Sequence, residues 1–426
     1  MGDQREDRGF GSLLTRREAV TTGLALAAGG VSAVGSTRRV SAASPRQATP
    51  AASAPGEQAA AIVALARDVM AKNDLKAVIV RVTSDGQEVV TAAMGESMTG
   101  VPATAEMRFR NGAVTYSYLA TLLLRLVDQE VVGLDDSLAT WLPDLRDADR
   151  VTLRMLTNMT AGYPDYVQNP KLDQELYADP FRQWTNQELI ELGLSTPRVF
   201  APGTNWDYSH TNFVILGEAL EKIGGQPLDV LLQEEVLAPM GLRNTVNSAT
   251  AAIPEPALHA FSSERRQALG IPSGTRFYEE ATYWNPSWSL ARGAVQTTDI
   301  VDLATTAAAV GEGTILSPVS HKAQVAGMPG FGTPVAGCAN CRTLNEQYNY
   351  GLSVVLHGRW VLQNPLFAGY GAIGAYLPPK KIAVAVAMTY GEKSFDEQGN
   401  YGHNALQDLF EAIGAYLAPE DMPPSR

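Results

Sequence analysis

The sequence predicts an α/β protein: a central, mostly antiparallel sheet with a helical lobe inserted into it. Three observations predict this. Strand-forming runs stand near both ends of the chain, at 77–82 and 88–93 and again at 350–356, 360–362, 375–377 and 382–388. The stretch between them, 134–286, is dominated by turns and short helical segments. A long apolar segment, 115–132, joins the two. Strands from opposite ends of a chain share one sheet when the intervening lobe is an excursion from it.

In chain order, Gln58–Ala71 has helical apolar spacing through Ile62, Leu65, Ala66, Val69 and Met70. The two runs that follow are separated by Asp85-Gly86, a hairpin signal. Thr115–Val132 is apolar over a wide arc, which predicts a helix buried between layers. Within the lobe, helical patterns fall at 152–159, 186–194, 211–223 and 228–237, the third ending at Gly224-Gly225. A last helix is predicted over 404–417. The domain is therefore expected to span 58–418, followed by a tail at 419–426.

The first 57 residues read differently. Arg16-Arg17 precedes a weakly apolar, glycine-interrupted run to Gly35, and Val40-Ser41-Ala42 offers small residues for a signal peptidase. Residues 1–42 are expected to be a twin-arginine type export signal, and Ala/Pro/Ser/Gln-rich 43–57 a flexible linker. The run is too short and too rich in glycine to anchor the mature protein in a membrane. Removing the six arginines and four acids of 1–42 takes the net charge from −12 to −14. Such a surface repels phosphate, so nucleic acid and anionic lipid are excluded as expected partners. A 45% hydrophobic content excludes a disordered chain. Two cysteines and five histidines provide no recognisable metal site, and no cofactor is expected.

Common catalytic motifs are absent: there is no G-x-S-x-G, H-E-x-x-H or G-x-x-x-x-G-K-[ST]. Gly369-Tyr370-Gly371-Ala-Ile-Gly374 matches the dinucleotide glycine spacing, but Pro378-Pro379 forbids the helix that motif requires. Four other stretches carry more information. They are FRNGAVTY at 109–116, continuing through LATLLLRLV at 119–127, LDD at 134–136 and WLPD at 141–144; VTLRMLTNMTAGYPD at 151–165; PG at 202–203 with WDYSHTNFVILG at 206–217; and ARGAVQTTD at 291–299. In order and spacing the chain resembles the β-lactamase-related serine hydrolases, the superfamily of class C β-lactamases, D-alanyl-D-alanine peptidases and related esterases. The resemblance covers roughly 58–418 and implies a β-lactamase/transpeptidase-like sandwich with a cleft between sheet and lobe.

The resemblance also implies where chemistry should sit, and there the sequence departs. The family uses a serine at the start of a buried helix and a lysine three residues on. The corresponding positions are Ala113 and Tyr116. None of the eight lysines has a serine three residues before it, so the pair is not displaced elsewhere. The Y-x-N motif reads Tyr208-Ser209-His210, and the last motif falls at Ala368–Gly374 without histidine or lysine. The implied reading is an exported, non-catalytic or reassigned member. It would bind a small-molecule or peptide ligand, cell-wall fragments included, through Tyr116, Tyr208, His210, Gly369, Tyr370 and Gly371. The competing reading is an active esterase, β-lactamase or D-amino-acid peptidase using other residues. His210 reads either as a base or as a hydrogen-bonded histidine at a helix start.

Three further features need placing. Ser117 should point away from Ala113, at about 100° per residue. Cys338 and Cys341 lie in a Gly/Pro-rich loop, which suits a local disulfide better than a redox helix. Trp284 and Trp288 either rim the cleft or anchor the lobe.

Overall fold

The computed structural model describes residues 55–248 and 250–424. The expected export signal, 1–42, and residues 43–54 of the expected linker lie outside them. Residues 55–57, expected to close the linker, instead open the first helix, Pro55–Lys72.

Fourteen strands follow in chain order among the described residues. They are β1 Leu75–Ser84, β2 Gln87–Met98, β3 Val101–Pro102, β4 Phe109–Arg110, β5 Val246–Asn247, β6 Phe261–Ser262, β7 Glu279–Glu280, β8 Gln296–Thr298, β9 Asn349–Tyr350, β10 Val355–His357, β11 Trp360–Gln363, β12 Leu366–Phe367, β13 Tyr370–Leu377 and β14 Ile382–Tyr390. The large sheet runs β3-β2-β1-β14-β13-β11-β10-β9, with β12 also on β13. Its pairings are antiparallel, so strands from both ends of the chain meet at its centre. Val80 stands opposite Val386, and Val386 opposite Ile373.

Local chemistry explains these elements. Asp85 and Gly86 both take positive φ, 48° and 75°, the type I′ geometry that tightens the β1–β2 hairpin. β13 and β14 are buried along their whole lengths. Helices Pro55–Lys72 and Ala405–Leu417 cover one face, and helix Ile300–Glu312 covers the other. That last helix carried no sequence expectation. It is Ala- and Thr-rich and buried over a wide arc, so little amphipathic contrast marks it, although Asp299 caps its start and left-handed Gly313 its end.

The buried helix runs Val114–Asp128 and ends four residues earlier than expected. Glu130 turns left-handed and Val131 N donates to Leu126 O, which closes the helix without a glycine. The strand expected over 350–356 is split into β9 and β10 by a turn in which Gly351 N donates to Val354 O. Residues 134–286 hold five α-helices, among them Leu153–Thr157, Asn186–Leu194 and His210–Gly224, together with short 3-10 and π turns and β5, β6 and β7. The tail packs back on the sheet, where Trp360 Nε1 donates to Asp421 O at 2.9 Å. No described helix is long and apolar enough to cross a membrane.

Candidate functional site

The site is built where β4 delivers the chain to the buried helix. β4 pairs with β8, and β8 with β5. Arg110 is buried and donates to the carbonyls of Ala251 and Thr282, at 2.6 and 3.2 Å. Burial lowers its pKa to about 10, so it stays a cation at neutral pH. Gly112 follows with φ +46°, and a Cβ there would lie 2.7 Å from Phe367 and 2.8 Å from Pro365. Only glycine fits both the angle and the space. The 365–367 segment is therefore the wall that closes on the helix start. Ala113 occupies the N-cap position and, having only a methyl group, makes no capping bond.

One turn later Tyr116 is fully buried. Its ring stacks on Phe213 at 3.7 Å, 7° from parallel, lies tilted to Tyr208 at 6.2 Å and meets His210 edge to face at 6.0 Å. Its hydroxyl is buried without a well-formed hydrogen bond. Burial pushes the phenols of Tyr116, Tyr166 and Tyr208 well above their ordinary range. None of the three is a phenolate at neutral pH, so none is poised as a base.

His210 opens its helix and meets Asp165. The Asp165 carboxylate accepts from His210 N at 3.0 Å and lies 3.1 Å from Nδ1. It also accepts from Val167 N at 3.1 Å. The Asp165 side chain is 2% exposed and that of His210 19%, so the pair is sheltered but reachable. Sequence reasoning missed Asp165. It sits in the Tyr163-Pro164-Asp165 turn, 45 positions before its partner, and its one signal was that the 151–165 stretch ends on it.

Beside this pair lies a cavity of about 460 Å³. Asp165, Asn169, Arg198, Asp207, Cys338 and Asn340 are among its walls. Burial, aided by the charge of Asp165, raises the Asp207 pKa to about 8. A disulfide joins Cys338 to Cys341, and Asn340 between them donates to Tyr208 O at 3.3 Å. Asp207 and the two sulfurs form a compact group among the described residues, but a disulfide supplies no thiolate, so the group suits no metal.

Comparison with known proteins places the chain. The Beta-lactamase family model matches residues 20–408. The chain belongs to the beta-lactamase family. Similar curated relatives of this beta-lactamase-family chain include penicillin-binding protein 4 of Amycolatopsis lactamdurans, 30% identical over 43% of the chain and 45% of that protein. Esterase EstB of Burkholderia gladioli is 30% identical over 35% of the chain and 41% of its own length. D-aminopeptidase of Brucella anthropi is 31% identical over 39% of the chain and 31% of its own. The chain thus spans about a third to under a half of these relatives. The fold resembles that of D-amino acid amidase from Ochrobactrum anthropi SV3, at TM-score 0.70 and 19% identity, covering 85% of this chain and 99% of that one. A D-stereospecific amidohydrolase from Streptomyces sp. superposes at TM-score 0.68 and 21% identity over 83% and 98%.

Within the beta-lactamase-family fold, the expected site residues divide. Ala113, Tyr116, Tyr208 and His210 gather at the helix start. Gly369, Tyr370 and Gly371 do not join them. Tyr370 is buried with its hydroxyl donating to Leu258 O at 2.5 Å, and its charged neighbour is Arg110. Gly369 packs on Phe261 O, where a Cβ would come within 2.3 Å, and Gly371 lies against Tyr390. The facing wall is instead Pro365–Phe367, a few residues earlier. Ser117 Oγ donates to Val114 O at 2.7 Å, a bond along its own helix. Trp288 meets Phe367 edge to face at 6.0 Å, and Trp184 N donates to Ser287 Oγ at 2.7 Å, so the tryptophan segment ties the lobe to that wall.

Proposed function

We propose that this chain is a binding member of the beta-lactamase family that forms no acyl-enzyme. The observation that carries the reading is the pair Ala113 and Tyr116. A methyl group at the helix start cannot attack a carbonyl, and the next turn holds a neutral phenol packed on Phe213 in place of an amine. The ligand class follows from the relatives, whose names specify D-amino acids, peptides and esters, and from the polar cavity beside Asp165. We assign the ligand, a D-amino acid or short peptide, to that cavity, whose volume of about 460 Å³ suits a small molecule. Isothermal titration calorimetry with D-phenylalanine and D-alanyl-D-alanine tests it. Thr196 lines the cavity from an exposed position, so Thr196→Trp should abolish binding without unfolding the protein. Equal heats for wild type and variant would remove the cavity from the account.

A second reading rests on one observation, the His210–Asp165 pair. An imidazole held by a buried carboxylate is the arrangement of a general base. In that reading the chain hydrolyses an amide or ester with water as the nucleophile. Release of D-phenylalanine from its amide by wild type, lost in His210→Gln, would favour it over the binding reading. The twin-arginine segment and its cleavage after Ala42 belong to the same proposal: the protein acts outside the cytoplasm, and cell-wall fragments are then its accessible ligands. N-terminal sequencing of the mature protein checks this, with Ala43 as the expected first residue.

A further inference from the structure

We propose that the Cys338–Cys341 disulfide is a thiol-exchange site in which the Asp207 carboxyl donates a proton to the departing Cys341 sulfur. The two sulfurs differ in access. Cys341 is buried at 6% exposure, whereas Cys338 is half-buried and lines the cavity beside Asp165. Cys341 N donates to Cys338 Sγ at 3.2 Å, a bond that strengthens when that sulfur becomes a thiolate. An Asp207 carboxylate oxygen lies within 4.8 Å of both sulfurs, a gap that one bridging water spans.

The surroundings keep Asp207 protonated at neutral pH. Burial comes first, then the negative charge of Asp165; Asn340 and Arg342 pull the other way. Arg198 lines the same cavity and is bonded to Asp147. The Tyr208 phenol beside Asp207 in sequence is itself raised by burial and stays neutral. A thioredoxin-type site opens a helix; here the loop has none, and a buried acid supplies the missing assistance.

The step balances with an external dithiol as reductant. One of its thiolates attacks Cys338 Sγ. The new bond joins that sulfur to Cys338, the Cys338–Cys341 bond breaks, and its electron pair goes to Cys341, which takes the Asp207 proton. The dithiol's second thiolate then attacks its own sulfur in the mixed disulfide. It leaves as a cyclic disulfide, oxidised by two electrons, and Cys338 departs as a thiolate facing Cys341 N–H. Asp207 regains its proton from solvent. Because Asn340 holds Tyr208 O, opening this loop loosens the backbone beneath the Tyr116 cluster.

The test uses folded full-length protein, dithiothreitol, and alkylation read by intact mass from about pH 6 to about pH 10, with rates normalised to reagent thiolate. Wild type should be reduced about tenfold faster than Asp207→Asn near pH 7, and the gap should close as the pH passes well above 8, where Asp207 loses its proton. In single-cysteine variants, Cys341→Ser should form a mixed disulfide with oxidised glutathione and Cys338→Ser should not. Equal normalised rates near pH 7, a wild-type profile that is flat throughout, or reduction seen only after unfolding in denaturant would each overturn the proposal.

Discussion

The ring of Tyr116 lies flat against that of Phe213, with centroids 3.7 Å apart, and this contact joins the start of the buried helix to the start of the lobe helix His210–Gly224. It fills with aromatic carbon a position from which a lysine would have to reach a nucleophile. The hydroxyl at its far end has no well-formed partner. Deleting only that oxygen should therefore cost nothing: Tyr116→Phe is expected to match or exceed wild type in thermal stability. Tyr116→Ala empties the stack and should cost about 3–5 kcal/mol. Differential scanning calorimetry of the two variants checks both, and a clearly destabilised Tyr116→Phe would mean that the hydroxyl is bonded after all.

Asp165 accepts from two backbone amides and approaches the His210 ring. Removing it leaves those groups unpaired in a nearly closed space. Asp165→Ala should lose about 2–3 kcal/mol, measured by urea denaturation, while His210→Ala should lose less because its ring is partly solvated. If the histidine proves the costlier of the two, the carboxylate is not the organising group.

Asp207 should make stability fall as pH rises. Its folded pKa of about 8 stands above the ordinary 3.8, so between these values the folded chain keeps a proton that the unfolded chain has released. The stabilising contribution is complete below about 4 and is lost as pH climbs through about 8. Asp207→Asn should therefore gain on wild type by roughly 2–4 kcal/mol between about pH 5 and about pH 8, at 1.36 kcal/mol per pKa unit. Parallel pH dependences of melting temperature in the two proteins would contradict this.

Much of the layout was legible because it rests on long periodic segments. The β1–β2 hairpin, the buried helix and the strands that close the chain all carry their pattern in neighbouring residues. What was not legible depends on distant partners. The Asp165–His210 pair spans two separate turns. Tyr370 sits between glycines that mimic a ligand-binding loop, yet Gly369 is required by the backbone of Phe261, and the tyrosine faces Leu258. Left-handed Glu130 ended a helix where no glycine gave warning, and left-handed Ser353, two residues after Gly351, split a strand.

The helix start can be asked to regain the chemistry that its fold accommodates. Ala113→Ser with Tyr116→Lys places a hydroxyl at the helix N-cap and an amine one turn on, among Tyr208, His210 and Phe213. Labelling by a fluorescent penicillin is expected in the double variant and in neither single one. A double variant that is folded by circular dichroism and stays unlabelled would show that Ala113 and Tyr116 do not occupy the acylation site.

The central claim, that the chain forms no acyl-enzyme, is tested most directly by intact mass spectrometry of the wild-type protein after incubation with a fluorophosphonate and with benzylpenicillin. The account predicts an unchanged mass with both reagents. A stoichiometric adduct that maps to a serine would contradict it.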